Sequence, residues 1–226
     1  MMKPLLITID GPAGAGKSTV SRLLAKRLRY TYVDTGALYR AVALAVLSGN
    51  SAPDDDSKVE RICRDLRLEF QNSKEGLRLY MNGVDVTDQL RTQEITMLAS
   101  AVSARFVVRE YLLGVQREMG RKGGAVFEGR DMGTVVFPGA DVKFYLDAEL
   151  RVRALRRYKE LSVVLPGTSV SLKEVTDGMK KRDEDDSNRA LAPLSPAKDA
   201  VRIDSSLLNI EQVVDLMLHH IPCLVK

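Results

Sequence analysis

Gly11-Pro12-Ala13-Gly14-Ala15-Gly16-Lys17-Ser18, extended by Thr19, sets glycines at fixed intervals ahead of a lysine and a hydroxyl. Glycines let a backbone turn its N–H groups inward, and where such a run opens a helix it forms a cradle for phosphate oxygens, to which the helix N-terminus adds partial positive charge. In that arrangement Lys17 reaches the β and γ phosphates of a nucleoside triphosphate, and the Ser18 hydroxyl holds Mg2+. From average residue usage, a chance match in a chain this long is on the order of one in a hundred. The flanks agree, because Leu5 to Ile9 and then Asp10 read as a buried parallel strand, and Val20, Leu23, Leu24 and Leu28 space a helix over 17–28.

Further polar clusters stand at the ends of apolar segments, where open α/β sheets gather ligand groups: Val33 to Arg40, Arg91-Thr92-Gln93-Glu94, Ser100 to Arg109, and Gly129-Arg130-Asp131 running to Thr134. Asp34-Thr35-Gly36 taken alone is also an ordinary helix N-cap. Of the 34 cations 21 are arginine, suited to bidentate phosphate contact, and seven of these fall between Arg130 and Arg189. Three classes could use a bound triphosphate: a small-molecule phosphotransferase, a GTPase switch and a motor ATPase. No Asn-Lys-x-Asp run reads guanine, and the apolar segment from Ala125 ends in Glu128-Gly129-Arg130-Asp131 rather than Asp-Glu, which leaves the phosphotransferase strongest. The two histidines, His219 and His220, fall on a C-terminal helix and read as surface residues.

The supporting elements read as alternating strands and helices, so a doubly wound α/β sheet is expected. Strands are expected at 31–34, 125–127, 142–146 and 201–204, and helices at 38–47, 92–103, 107–122, 149–161, from 172 to about 182, and 210–220. The polar run from Asn50 to Asp56 reads as a subdomain boundary, followed by an antiparallel insert with strands at 66–70, 77–81 and 84–86 and a turn at Asn82-Gly83. Hydrophobic residues at 45% and charged residues at 28% fit a folded domain, and a net charge of +4 argues only weakly for nucleic acid. No apolar run suits a membrane helix or a signal peptide, so no membrane partner and a cytoplasmic location are expected. Cys63 and Cys223 lie far apart without thiol or histidine neighbours, so Cys63 reads as an inert thiol, and the run from Asp183 to Asp185 reads as solvated.

Taken in order, Gly11 to Thr19, Asp34 to Arg40, Arg91 to Glu94, Gly129 to Pro138, and Arg182 through Asn188-Arg189-Ala190 to Leu194 resemble the bacterial cytidylate kinases, of the nucleoside monophosphate kinase group, over essentially the whole chain. That resemblance implies a P-loop kinase domain with a monophosphate-binding insert over about 36–106 and a mobile lid over about 151–189, including Ser162 to Ser171. It implies ATP as donor with Mg2+, CMP or dCMP as acceptor, no nucleic-acid partner and a monomer. Carried over by position, Ser100, Arg109 and Asp131 read the cytosine, Arg40 and Arg130 grip the acceptor phosphate, and Thr35 lies near the ribose. Arg182, Asp186 and Arg189 approach sugar and phosphate, Arg153 and Arg157 of a basic helix that also carries Arg156 lie over ATP, and Lys17, Arg130, Arg157 and Arg182 neutralise the transferring group. Two positions depart from the family's common pattern: Glu128 for aspartate and Thr35 for serine, each keeping its charge or hydroxyl. A uridylate or mixed pyrimidine kinase, and a non-catalytic ATP-binding regulatory module, remain as alternatives.

Overall fold

The computed structural model describes residues 3–73, 76–164 and 171–221. The chain divides into two compact units, one formed by residues 1–32 and 123–226 and the other by residues 33–122. It begins with β1 (Leu6–Asp10), α1 (Lys17–Leu28) and β2 (Thr31–Asp34). The second unit then holds α2 (Thr35–Ser48), α3 (Asp56–Asp65), β3 (Leu68–Ser73), β4 (Gly76–Met81), β5 (Val84–Asp85), α4 (Gln93–Ser103) and α5 (Phe106–Gly120). The return to the first unit adds β6 (Ala125–Gly129), β7 (Val142–Asp147), α6 (Leu150–Val164), α7 (Leu172–Asn188), β8 (Val201–Asp204) and α8 (Ile210–His219).

A central sheet of order β2-β6-β1-β7-β8 organises the first unit. β1 pairs in parallel with β6 on one edge and β7 on the other, which is why its sequence is apolar and short. Strand alternation sends Ile7 and Ile9 into a core with Leu24, Val126, Phe144, Leu146, Val214 and Met217, where α1 and α8 pack together. Thr8 and Asp10 take the opposite face, and a π-helical turn over Met132–Val136 covers it, with Gly133 close to both side chains. Crossovers between parallel strands leave ligand groups at the carboxyl ends of β1 and β6, where Asp10 and Gly129 stand paired. Among the described residues no helix is long and apolar enough to cross a membrane.

The second unit has its own core, built from Leu38, Ala41, Val42 and Val46 of α2, Val59 and Cys63 of α3, Leu79 of β4, Val102 of α4, and Val108 and Leu112 of α5. Its sheet has the order β3-β4-β5, and Asn82 and Gly83 both take positive φ (49° and 81°) at the β4–β5 turn, the conformation that dipeptide favours. Because α5 packs on α3 and shares this core, the unit extends past residue 106 to 122.

Several sequence expectations are corrected. The run 50–56 is an internal loop of the second unit, not a boundary. Asp55 caps α3 by accepting the Lys58 N–H at 3.1 Å, and Asp56 pairs with Arg105 at 2.5 and 2.8 Å, so its acids start a helix. Helix α2 starts at Thr35, three residues early, because Asp34 caps it through the Ala37 N–H at 3.0 Å. Helix α7 continues to Asn188 because Asp183 and Asp186 are neutralised by Arg153 and Arg130, removing the repulsion an acidic run suffers near a helix C-terminus. The 3₁₀ turn at Thr87–Arg91 and the π-helical turn at Met132–Val136 carry no local pattern that announces them.

Gly11 joins β1 to the loop at φ +147°, and a Cβ there would stand 1.9 Å from the Leu146 carbonyl oxygen of β7. Gly11→Ala therefore forces two strands apart and should cost about 3 kcal/mol or more of stability, read as a lowered urea midpoint. A midpoint within error of the parent protein would contradict this packing.

Candidate active site

The loop from Gly11 to Gly16 delivers the chain into α1 without any side-chain cap. Gly16 is the N-cap at φ +92°, no side chain accepts from the first turn, and that turn contains no acid. A Cβ on Gly16 would meet nothing within 4 Å, so glycine is required there by backbone conformation, not by space. The N-terminus of α1 is thus left open to an external anion, which is the fit a phosphate group requires. Lys17 is buried, and its Nζ donates to the Pro12 carbonyl at 2.6 Å. Burial drives its pKa well below the ordinary lysine range, Arg130 and Arg182 push it the same way, and Glu128 and Asp10 oppose them.

Beside the loop, Ser18 Oγ donates to Glu128 Oε1 at 2.7 Å, and Tyr32 OH donates to the same oxygen at 2.6 Å. A hydroxyl and a buried carboxylate side by side form the hard oxygen donor set that Mg2+ takes, so the residues fit that ion. Glu128 enters the sequence reading only as a departure from a pattern. Its signal lies in strand pairing, which sets Glu128 opposite Ile9 at the end of β1. Asp10 likewise acts through partners far along the chain: its two carboxylate oxygens accept the Met132 and Gly133 N–H groups at 2.9 and 2.7 Å and hold the π-helical turn on the sheet. Burial nonetheless raises its pKa from 3.8 to about 6.

Arg130, Asp131, Arg182, Asp186 and Arg189 all belong to the first unit. Arg130 Nε donates to Asp186 Oδ2 at 2.8 Å, while Arg189 approaches Asp186 Oδ1 at 3.6 Å and the buried Asp131 at 3.9 Å. Burial alone would raise the Asp186 pKa, but Arg130, Arg182 and Arg189 outweigh it and hold the carboxyl below its usual range. Arg182 is exposed near this cluster, and Arg157 is exposed on α6, paired with Glu160 at 3.0 Å.

Arg153 is not a solvent-facing side chain over the loop. It is buried, with Nε donating to Ala148 O at 2.7 Å and NH1 to Ala13 O and Asp183 Oδ2 at 3.1 and 2.6 Å. Asp183 is correspondingly an ion-pair partner and not a solvated acid. Ala154, Val175 and Met179 bind α6 to α7 and pack on Ala13, and within the expected lid of about 151–189 only residues 165–170 lie outside the described residues. Among the described residues no group of three His, Cys, Asp or Glu side chains is placed to hold a metal. Cys63 is buried and its thiol is pushed up to about 11, as expected of an inert cysteine.

In the second unit Asp34 serves two purposes, since Oδ1 caps α2 and Oδ2 accepts from Arg40 NH2 at 2.9 Å. The Arg40 guanidinium folds back over Gly36 at the helix start, and Thr35 is buried there. Arg109 lies over the Tyr39 ring at 5.7 Å and donates to Ser103 O at 3.1 Å, which fixes its plane, and Ser100 is exposed on α4.

A parallel sheet whose first strand opens through a glycine loop into an uncapped helix, with a carboxylate on the neighbouring strand and a half-buried arginine–aspartate cluster, defines a P-loop phosphotransferase. The chain belongs to the cytidylate kinase family, whose model matches residues 7–222. It is 52% identical to the cytidylate kinase of Geobacter sulfurreducens, over 94% of this chain and 91% of that protein. It is 45% identical to the cytidylate kinase of Ligilactobacillus salivarius, over 97% of each. Its fold is like that of an uncharacterized protein from Eubacterium ventriosum, with a TM-score of 0.51 at 11% identity over 96% of this chain and 98% of that one.

The raised pKa of Asp10 has a defined consequence for stability. Between pH 4 and 6 the folded protein keeps a proton on Asp10 that the unfolded chain has released, so this group's contribution is largest on the acid side and declines as pH rises to about 6. The unfolding free energy of the parent protein minus that of Asp10→Asn should therefore fall by about 2 kcal/mol from pH 4 to 7. A pH-independent difference in urea titrations would contradict the assignment.

Proposed function

We propose that the protein transfers the γ-phosphoryl group of ATP to CMP or dCMP, using the phosphate loop and Lys17 for the donor and the arginine clusters for the acceptor. The observation that carries this reading is the family match, which spans the loop, the Gly129-Arg130-Asp131 run and α7 together. In this reading Lys17, Arg130, Arg157 and Arg182 neutralise charge on the transferring group. Arg40 and Arg130 hold the acceptor phosphate, while Thr35, Asp186, Arg182 and Arg189 hold the sugar side. Ser18 and Glu128 would hold Mg2+, which when bound spreads charge from the donor phosphates. No side chain has to take a proton, because the attacking phosphate oxygen is already ionised. The enzyme is proposed to work as a cytoplasmic monomer on free nucleotides.

Ser100, Arg109 and Asp131 are proposed to read the base. Cytosine presents an amino donor and a ring-nitrogen acceptor where uracil presents a carbonyl and an N–H, so a carboxylate and an arginine suit the first and mismatch the second. Each mispaired buried charge costs about 1 to 3 kcal/mol, which sets a preference for CMP over UMP of roughly 100-fold or more. A coupled ADP-release assay over a panel of monophosphates tests this, and no turnover with any of them would favour a regulatory ATP-binding role. Arg109→Met should lower kcat/KM for CMP far more than for UMP, leaving ATP affinity nearly unchanged. Equal losses on both pyrimidines would withdraw the base-reading role.

A further inference from the structure

Two carbonyls of the phosphate loop are gripped from outside by groups tied to one helix. Arg153 and Arg156 stand one turn apart on α6. Arg153 NH1 donates to Ala13 O at 3.1 Å and is itself held by Asp183 and Ala148. Arg156 donates to Ser205 twice, through NH2 to the carbonyl at 2.7 Å and through NH1 to Oγ at 3.1 Å, and the buried Ser205 Oγ lies 3.1 Å from Ala15 O. That hydroxyl is also 3.0 Å from Asp147 O, which accepts the Ser205 N–H at 2.8 Å as well. The hydroxyl proton is thus shared between the Ala15 and Asp147 carbonyls, while its oxygen accepts from Arg156.

In a trans peptide unit the carbonyl and the following N–H point in opposite directions. Holding Ala13 O outward aims the Gly14 N–H into the loop, and holding Ala15 O outward aims the Gly16 N–H the same way. We propose that Arg153 and the Arg156–Ser205 pair are positioning residues for the donor phosphates: they fix these two peptide planes before nucleotide arrives, without having to touch it. This rests on the phosphate-binding reading of the loop, and it gives Arg153 a role different from direct contact with ATP. It also assigns a function to Ser205, which no sequence motif singles out.

The test measures ADP and CMP binding separately by calorimetry, without added Mg2+, in Ser205→Ala and Arg153→Met, with the core truncation Val214→Ala as a stability control. Losing an aligning hydrogen bond should weaken ADP binding about tenfold in each positioning variant, with CMP binding within about twofold. In ADP-bound protein, Arg153→Met should shift the Gly14 amide resonance most and Ser205→Ala that of Gly16. Val214→Ala should lower the melting temperature and leave ADP affinity unchanged. Should Arg153→Met fail to fold, with Asp183 left unpaired, Ser205→Ala decides alone. Unchanged ADP affinity in Ser205→Ala, or equal weakening of ADP and CMP, overturns the proposal. A parent protein that binds ADP but not CMP would instead sink the substrate reading and leave this test intact.

Discussion

Everything at the carboxyl ends of β1 and β6 is arranged around one electrostatic problem, the gathering of cations in a partly desolvated site. Two like charges 4 Å apart repel by roughly 4 kcal/mol at an effective dielectric of 20, and burial adds to the cost of each. Lys17 meets this directly, since burial and the fields of Arg130 and Arg182 all oppose its charge. Phosphate oxygens are the groups that turn the same arrangement into an attraction. A site built in this way is unfavourable by itself and becomes favourable when the anionic substrate is present.

The carboxylates keep this arrangement from flying apart. Asp186 binds Arg130 and draws Arg189 close, Asp183 fixes Arg153, and Asp10 ties the π-helical turn to the first strand. Asp186 and Asp183 hold their arginines in place without covering all of the donor atoms, since an arginine presents five N–H groups. The outcome is pre-organisation, because side chains and peptide planes that would lose freedom on binding have already lost it in folding. Glu128 does the same for the Ser18 hydroxyl, and the Tyr32 phenol keeps that carboxylate oriented.

What the sequence made legible was local. The loop from Gly11 to Ser18 has a spacing that chance seldom produces, and the expected bounds of α1 and β2 match the observed ones because apolar period and breakers coincide there. The Asn82-Gly83 turn was equally plain, since both residues tolerate positive φ. Contacts distant along the chain were not legible. Ser18 and Glu128 lie 110 residues apart, and Ser205 and Ala15 lie 190 apart, so no window of sequence contains either pair. Acidic residues misled for a related reason: the run 50–56 reads as a boundary and Asp183 as a solvated acid until their partners Arg105 and Arg153 are in place, whereas Glu184 and Asp185 are exposed as read.

The most direct measurement of this account is the ionisation of the Lys17 ammonium, followed through its side-chain nitrogen resonance as pH is varied, with and without ADP. The expected result is a pKa well below the ordinary lysine value in the nucleotide-free protein, because burial, Arg130 and Arg182 disfavour the charge, and a marked rise when ADP phosphates enter the loop. An ordinary lysine pKa in the free protein, unmoved by ADP, would contradict it.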